Sequence, residues 1–390
     1  MPTRQLVLAM TACAISFAVW GLIAGLAPRF QDLYGLTDAQ TALAVALPVV
    51  LGALFRIPLG ILADRYGGRA VFTCLLAFAL LPCAWIALVH AYAALLVGGF
   101  FLGVAGASFA VGISFTSKWF PSEHQGLALG LFALGTGGQS ITVFAAPRLA
   151  AIIPWESIFW IFGLASLVSA GLFWAYGRDA ATGRAVTHGQ SMRILAHERI
   201  AWVLAGCCFV TMGGYLALGA YLPTLLKDQF SLTFEDAGAR AAGFVVLATV
   251  TRPIGGWLAD HFGGARVLAG ALALVAALAM LLSSDLRLFS VGILGMAASL
   301  GLGTGALFKL VPEHFPNEVG TVTGLVGAIG GLGGFFPPIV LGVLKQALGS
   351  YAVGFVLLSV AAIGALLLNL IVFVLPGRRR PPSSQVFPIR

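Results

Sequence analysis

Charge is scarce in this chain, and the places it avoids define the protein. Only 9% of the 390 residues are charged, 59% are hydrophobic, and the mean hydropathy is +0.99. Soluble domains carry about 25% charged residues. No water-soluble fold hides this much apolar side chain, so the surrounding solvent must be largely lipid. The 14 acids all fall at loops or helix ends, and no histidine falls in the middle of an expected span. That removes the usual intramembrane proton carriers. The five cysteines, Cys13, Cys74, Cys83, Cys207 and Cys208, lie in apolar runs without metal-ligand spacing. An odd number in lipid argues against a disulfide framework, and they read as small packing residues. Because no nucleophile–base or metal constellation appears, no catalytic residue, metal or cofactor is expected and an enzyme is disfavoured. A receptor would more naturally carry an added soluble domain. The net charge of +8 is not a nucleic-acid footprint, since the basic residues stand in short loops and in the C-terminal tail.

What is present is long apolar runs. A spanning helix needs about 20 mostly apolar residues. Uncharged runs occur at 5–28, 70–117, 124–147, 157–177, 200–226, 267–284, 288–308, 319–344 and 346–377. The first exceeds the apolar core of a signal peptide and reads as a spanning helix. The run 70–117 must fold back near His90-Ala91-Tyr92. Two further segments, near 38–63 and 236–259, each hold a single charge away from their first residues, Arg56 and Arg252. The expectation is an all-α membrane protein of twelve transmembrane helices. Residues 1–177 form an N-terminal six-helix half, 178–199 a cytoplasmic connector, 200–377 a C-terminal half, and 378–390 a cytoplasmic tail expected to be disordered. With both termini inside, 14 of the 22 basic residues fall on the cytoplasmic side, Lys309 among them. Six fall outside: Arg29, Arg148, Lys227, Arg240, Arg287 and Lys345. This bias places a multi-pass protein in the cytoplasmic membrane with both ends inside.

The two halves are related in sequence. The segment Arg56-Ile57-Pro58-Leu59-Gly60 through Asp64-Arg65-Tyr66-Gly67-Gly68 matches Arg252-Pro253-Ile254-Gly255-Gly256 through Asp260-His261-Phe262-Gly263-Gly264 at a constant offset of 196. Phe120-Pro121-Ser122-Glu123 pairs with Phe315-Pro316-Asn317-Glu318, and a glycine-rich span follows each. Two six-helix repeats of the same orientation are the parallel-halves plan of the major facilitator fold. The loop Gly60-x-x-x-Asp64-Arg65-x-Gly67-x-Arg69 resembles that superfamily's signature between its second and third helices. The resemblance implies a cytoplasmic gate in which Asp64, with Arg65, Arg69 and the matching Asp260, meets a helix N-terminus and basic groups of the other half. A carboxylate is favoured at the positive end of a helix dipole. In the glycine-rich spans, Gly130, Gly137, Gly330 and Gly334 would let helices slide or bend as the halves rock.

Arg56 and Arg252 remain. Each lies eight residues before its aspartate, about 12 Å into a core about 30 Å thick. An arginine at that depth opposes insertion by about 2.5–3.5 kcal/mol. No acid is available nearby to offset it. Two matched cations without a counter-ion call for a mobile anion, and the guanidinium fork suits a planar oxyanion. Backbone carbonyls or snorkelling are the alternative for one of them. Phe17, Phe109, Tyr215, Phe308, Phe335 and Phe336 are candidate walls of a small dry pocket.

Arginine before the signature loop in both halves, Gly-Ala-Ser-Phe109, the span after Phe-Pro-Ser-Glu123, and Gly-Gly-Phe-Phe-Pro337 together resemble the NarK-type nitrate/nitrite porter family. The resemblance covers nearly the whole chain. It implies that Arg56 and Arg252 clamp the anion from opposite halves and that Phe109 and Tyr215 help enclose it. Where the family commonly carries an asparagine in the fifth helix, this chain has Thr136, whose shorter hydroxyl can still donate a hydrogen bond. The change leaves nitrate, nitrite and another small anion (formate, cyanate, oxalate) open. The expected function is alternating-access transport by nitrate/nitrite exchange, with proton-coupled nitrate uptake as the alternative. The expected partners are the anion and the lipid bilayer, and the expected oligomeric state is monomeric.

Overall fold

A computed structural model describes residues 1–180, 188–232, 234–280, 285–348 and 350–375. The expected tail at 378–390 and connector residues 181–187 lie outside the described residues. Among the described residues every regular element is helical, and twelve spanning segments follow one another. The first is Pro2–Trp20 with Leu22–Tyr34, the second Asp38–Tyr66, and the third Gly68–Phe78 with Leu80–Leu88. The fourth, Tyr92–Leu102 and Ser108–Ser117, is joined by the tight 3₁₀ turn Gly103–Ala107. The fifth, Gln125–Ala133 and Gly138–Ala150, is joined by a second such turn, Leu134–Gly137. The sixth is Trp155–Tyr176, and a connecting helix His188–His197 follows. The second half holds Arg199–Phe230, Phe234–Phe262, Gly264–Met280, Leu286–His314, Val319–Leu348 and Ala352–Asn369. Eleven segments are long and apolar enough to cross a membrane, and the ninth is a shorter apolar helix. Their outward faces carry exposed leucine, valine, isoleucine and tryptophan, for example Leu81, Trp85, Val168 and Leu367. A lipid-facing surface looks like this.

Local chemistry sets the boundaries. Thr37 and Gln40 form a reciprocal capping box at the start of the second span. Gly67 and Gly263, one repeat apart, turn the chain after the second and eighth spans at φ 90° and 88°. A side chain is strained there, so the signature loops need glycine. The 48-residue run turns at Val89–Ala91, as its length requires. The first span continues past Pro28 to Tyr34, because a charge at Arg29 ends an apolar run without ending a helix.

The halves meet along two matched seams, the second span on the eleventh and the eighth on the fifth. Both seams are backbone against backbone. A side chain at Gly60 would strike the carbonyl of Gly320, and one at Gly256 would strike that of Gly126. Higher up the same seams, Gly324 lies against the backbone of Arg56, and Gly130 against that of Arg252 and Pro253. Glycine here brings the two arginine-bearing turns within touching distance of the opposite half.

Candidate functional site

Each seam ends in a carboxylate latch. Asp64, in the last turn of the second span, accepts from the backbone amides of Gly320 (2.8 Å) and Thr321 (2.7 Å) at the start of the eleventh. The hydroxyls of Thr321 and Ser114 add 2.9 Å bonds. Asp260 does the same at the start of the fifth span, accepting from Gly126 and Leu127 at 2.8 Å each. Amides without an intrahelical partner and the positive dipole end both favour a carboxylate there. Burial at this end, and then the neighbouring Asp64, raises the Glu318 carboxyl above its ordinary value.

The latches differ from expectation in their cations. Lys309, read from sequence as a loop residue, is buried inside the tenth span and pairs with Asp260 at 2.9 Å. It therefore belongs to the same half as its aspartate. The anticipated basic groups of the opposite half bond neither aspartate among the described residues. Lys309 stands one repeat (195 residues) after Ser114, so a charged pair on one side replaces a hydroxyl on the other. Arg65 is exposed over the ring of Tyr66. Arg69 donates to the carbonyl of Trp174 in the N-terminal half, and its backbone amide donates to Asp179 at the start of the connector. Neither reaches the opposite half.

Above the latches lie the two arginines, both buried. Arg252 donates from Nη1 to Thr136 Oγ1 at 2.8 Å and lies over the Tyr215 ring at 4.5 Å. Its Nε is buried without a hydrogen-bond partner, and Nη2 makes none among the described residues. That leaves one edge of the guanidinium fork open. Arg56 donates from Nη1 to the Gly327 carbonyl at 2.5 Å and from Nε to that of Gly106 at 3.4 Å. The backbone-carbonyl alternative therefore holds for Arg56 in this conformation. Each arginine touches one of the 3₁₀ turns of the first half: Arg56 at Gly106, Arg252 at Thr136.

Phe109 and Phe308 meet edge to face across the halves, 4.9 Å between ring centres, and both are buried. Phe17 is buried against Trp20. Among the described residues the one ring that Phe335 packs on is Phe336, which is 51% exposed on an apolar outward groove. Phe336 is thus no pocket wall, because the pattern Gly-Gly-Phe-Phe turns its second ring toward lipid. The Thr136 hydroxyl accepts from Arg252 and donates to the Ala133 carbonyl at 2.8 Å, so its proton is already committed. Of the four glycines, only Gly130 touches the opposite half. Gly330 packs on Cys208 and Gly334 on Leu216, both of the seventh span, and Gly137 has open space beside it. Among the described residues no cluster of metal-ligating side chains occurs.

Twelve spans in two matched halves, with a buried polar site at their meeting, define a multi-pass membrane protein of the major facilitator fold. The chain belongs to the Major Facilitator Superfamily, whose family model matches residues 8–239 and again 204–389. It is 36% identical over 366 residues to the nitrite extrusion protein of Bacillus subtilis (strain 168), covering 93% of each chain. It is 34% identical over 358 residues to the probable nitrate transporter NarT of Staphylococcus haemolyticus (strain JCSC1435), covering 91% of this chain and 93% of that protein. The crystal structure of the human organic anion transporter MFSD10 superposes with a TM-score of 0.77 at 14% identity, covering 94% of this chain and 99% of that one. The Escherichia coli fucose:proton symporter gives 0.73 at 16%, with the same coverage.

Proposed function

We propose that this protein carries nitrate and nitrite across the cytoplasmic membrane by exchange, with the anion held between Arg56 and Arg252. The observation that carries this reading is the open Nε/Nη2 edge of Arg252, buried, stacked on Tyr215, and unmatched by any carboxylate. A buried donor without a partner, as Arg252 Nε is, is costly unless a ligand completes it. A planar oxyanion takes that edge through two oxygens. In this reading Arg56 rests on carbonyl oxygens until the anion draws it in, while Phe109 and Phe308 keep water out. Thr136 holds Arg252 and does not itself donate to the anion. The relatives named for nitrite and nitrate support the substrate class.

The latches close the end of the bundle where the first span begins, and charge bias makes that end cytoplasmic. Both arginines come from one chain, one from each half (1–177 and 200–377), so a monomer suffices. Exchange follows from repulsion: with the site empty, two cations oppose closure, so the halves rock when an anion bridges them. Counterflow in proteoliposomes tests this. Internal nitrite should drive uptake of labelled nitrate, and no uptake should occur without a counter-anion. Nitrate accumulation driven by a pH gradient alone would replace exchange with proton coupling.

A further inference from the structure

The cavity that Tyr215 lines is bordered by the parts of the fifth, seventh and eighth spans that lie away from the latches. Its volume is about 740 Å³, and Gln139, Ser140, Phe144 and Arg148 of the fifth span form one wall. Ser140, Phe144 and Arg148 recur every four residues along the helix Gly138–Ala150, and Thr136 stands four residues before them in the 3₁₀ turn Leu134–Gly137. That stripe runs from the partner of Arg252 to the mouth, about 18 Å along the helix axis. Arg148 is held in place there. Its Nη1 donates to the Phe144 carbonyl at 2.6 Å, and its guanidinium sits 3.6 Å from the centre of that ring. Among the described residues no carboxylate pairs with it, and no acid lines the cavity. Between the two cations, the Gln139 amide and the Ser140 hydroxyl make no hydrogen bond to the protein among the described residues.

We propose that Arg148, with Gln139 and Ser140, is an outer anion station that captures a small monovalent anion and passes it to Arg252. The proposal rests on the transport reading above. An anion at the mouth lies more than two screening lengths from Arg252, since the Debye length is about 8 Å at physiological salt. The buried cation alone therefore recruits poorly from bulk solution. A cation at the rim of a cavity with low-dielectric walls focuses the field and raises the local anion concentration. Neutral donors spaced along the wall let the anion advance without being trapped.

The test uses the full-length protein in single-orientation proteoliposomes, with nitrate as the probe offered from either face. Arg148→Gln should raise the half-saturating nitrate concentration at the outer face by about fivefold at low ionic strength, the effect falling on half-saturation rather than on the saturated rate. The latch face should show no such shift. High concentrations of an impermeant salt should shrink the difference, and Arg148→Lys should retain most of the wild-type behaviour. Should Arg148→Gln not be recovered folded, the double change Gln139→Ala with Ser140→Ala should give the same one-sided shift. An active wild type whose outer half-saturation is untouched by these changes overturns the station alone. So does an equal shift at both faces, or a loss that Arg148→Lys shares, which would mark a packing role on Phe144. A wild type that moves neither nitrate nor nitrite overturns the transport reading and the station with it.

Discussion

At the scale of single residues the two arginines are not equivalent in this conformation. Arg56 has carbonyl partners on both sides of the cleft, whereas Arg252 keeps an edge free and leans on an aromatic face. Lysine at either position preserves charge but loses the fork. Arg252→Lys is expected to lower nitrate flux by about tenfold or more, because the bidentate edge vanishes, and Arg56→Lys to act similarly. Initial rates in proteoliposomes check this, and wild-type rates from both variants would sink the clamp. Thr136→Val should also weaken transport, since Arg252 then loses its one hydroxyl acceptor, while Thr136→Ser should not. The arginines were legible in the sequence because a charge inside an apolar run stands out. Lys309 was not, because it adjoins Val311-Pro312-Glu313-His314, where polarity reads as a loop although the helix runs on to His314. Phe336 misled for the opposite reason: composition names an aromatic without saying which way a helix turns it.

At the scale of elements, the twelve spans and their twofold repeat followed from apolar run lengths and a constant offset. The 3₁₀ turns at Gly103–Ala107 and Leu134–Gly137 did not, since glycine density is as high in the eleventh span, which stays continuous. Interrupted helices in one half and unbroken ones in the other make the repeat structurally unequal exactly where each arginine docks. The latches share that inequality. Asp260 shields a buried lysine, whereas Asp64 is satisfied by amides and hydroxyls. Removing one member of a buried ion pair costs about 3–5 kcal/mol because the other is left uncompensated. Asp260→Asn should therefore destabilise the purified protein more than Asp64→Asn, and Lys309→Met should recover part of that loss when combined with Asp260→Asn. Thermal unfolding in detergent reads the order, and equal effects of the two single changes would remove the distinction. The seam glycines make a separate claim. A side chain at Gly60 or Gly256 meets a carbonyl of the opposite half, so Gly60→Val and Gly256→Val should hold the latch end open. The measurement is labelling of a cysteine placed beside Asp64, expected to speed up in both variants.

At the scale of the whole molecule, the question is what energy moves the halves. The two seams, each a glycine contact capped by a carboxylate on a helix N-terminus, close the latch end, while the cavity beside Tyr215 lies toward the other. On the exchange reading proposed above, the open end must close before the latches part, and two buried cations oppose that closure when no anion lies between them. In that reading anion binding removes the repulsion and permits the crossing, in either direction, without a proton. Among the described residues no carboxylate or imidazole bonds either arginine, so neither exchanges a proton directly with such a group. The counterflow rate of nitrate against nitrite should accordingly be the same with and without a transmembrane pH difference, and should vary little with bulk pH from 6 to 8, where the guanidiniums and both nitrogen oxyanions keep their charge. A rate that rises with inward acidity would instead require a proton to cross with the anion, and the acids nearest the path, Asp64 and Asp260 in the latches, would be the groups to neutralise first.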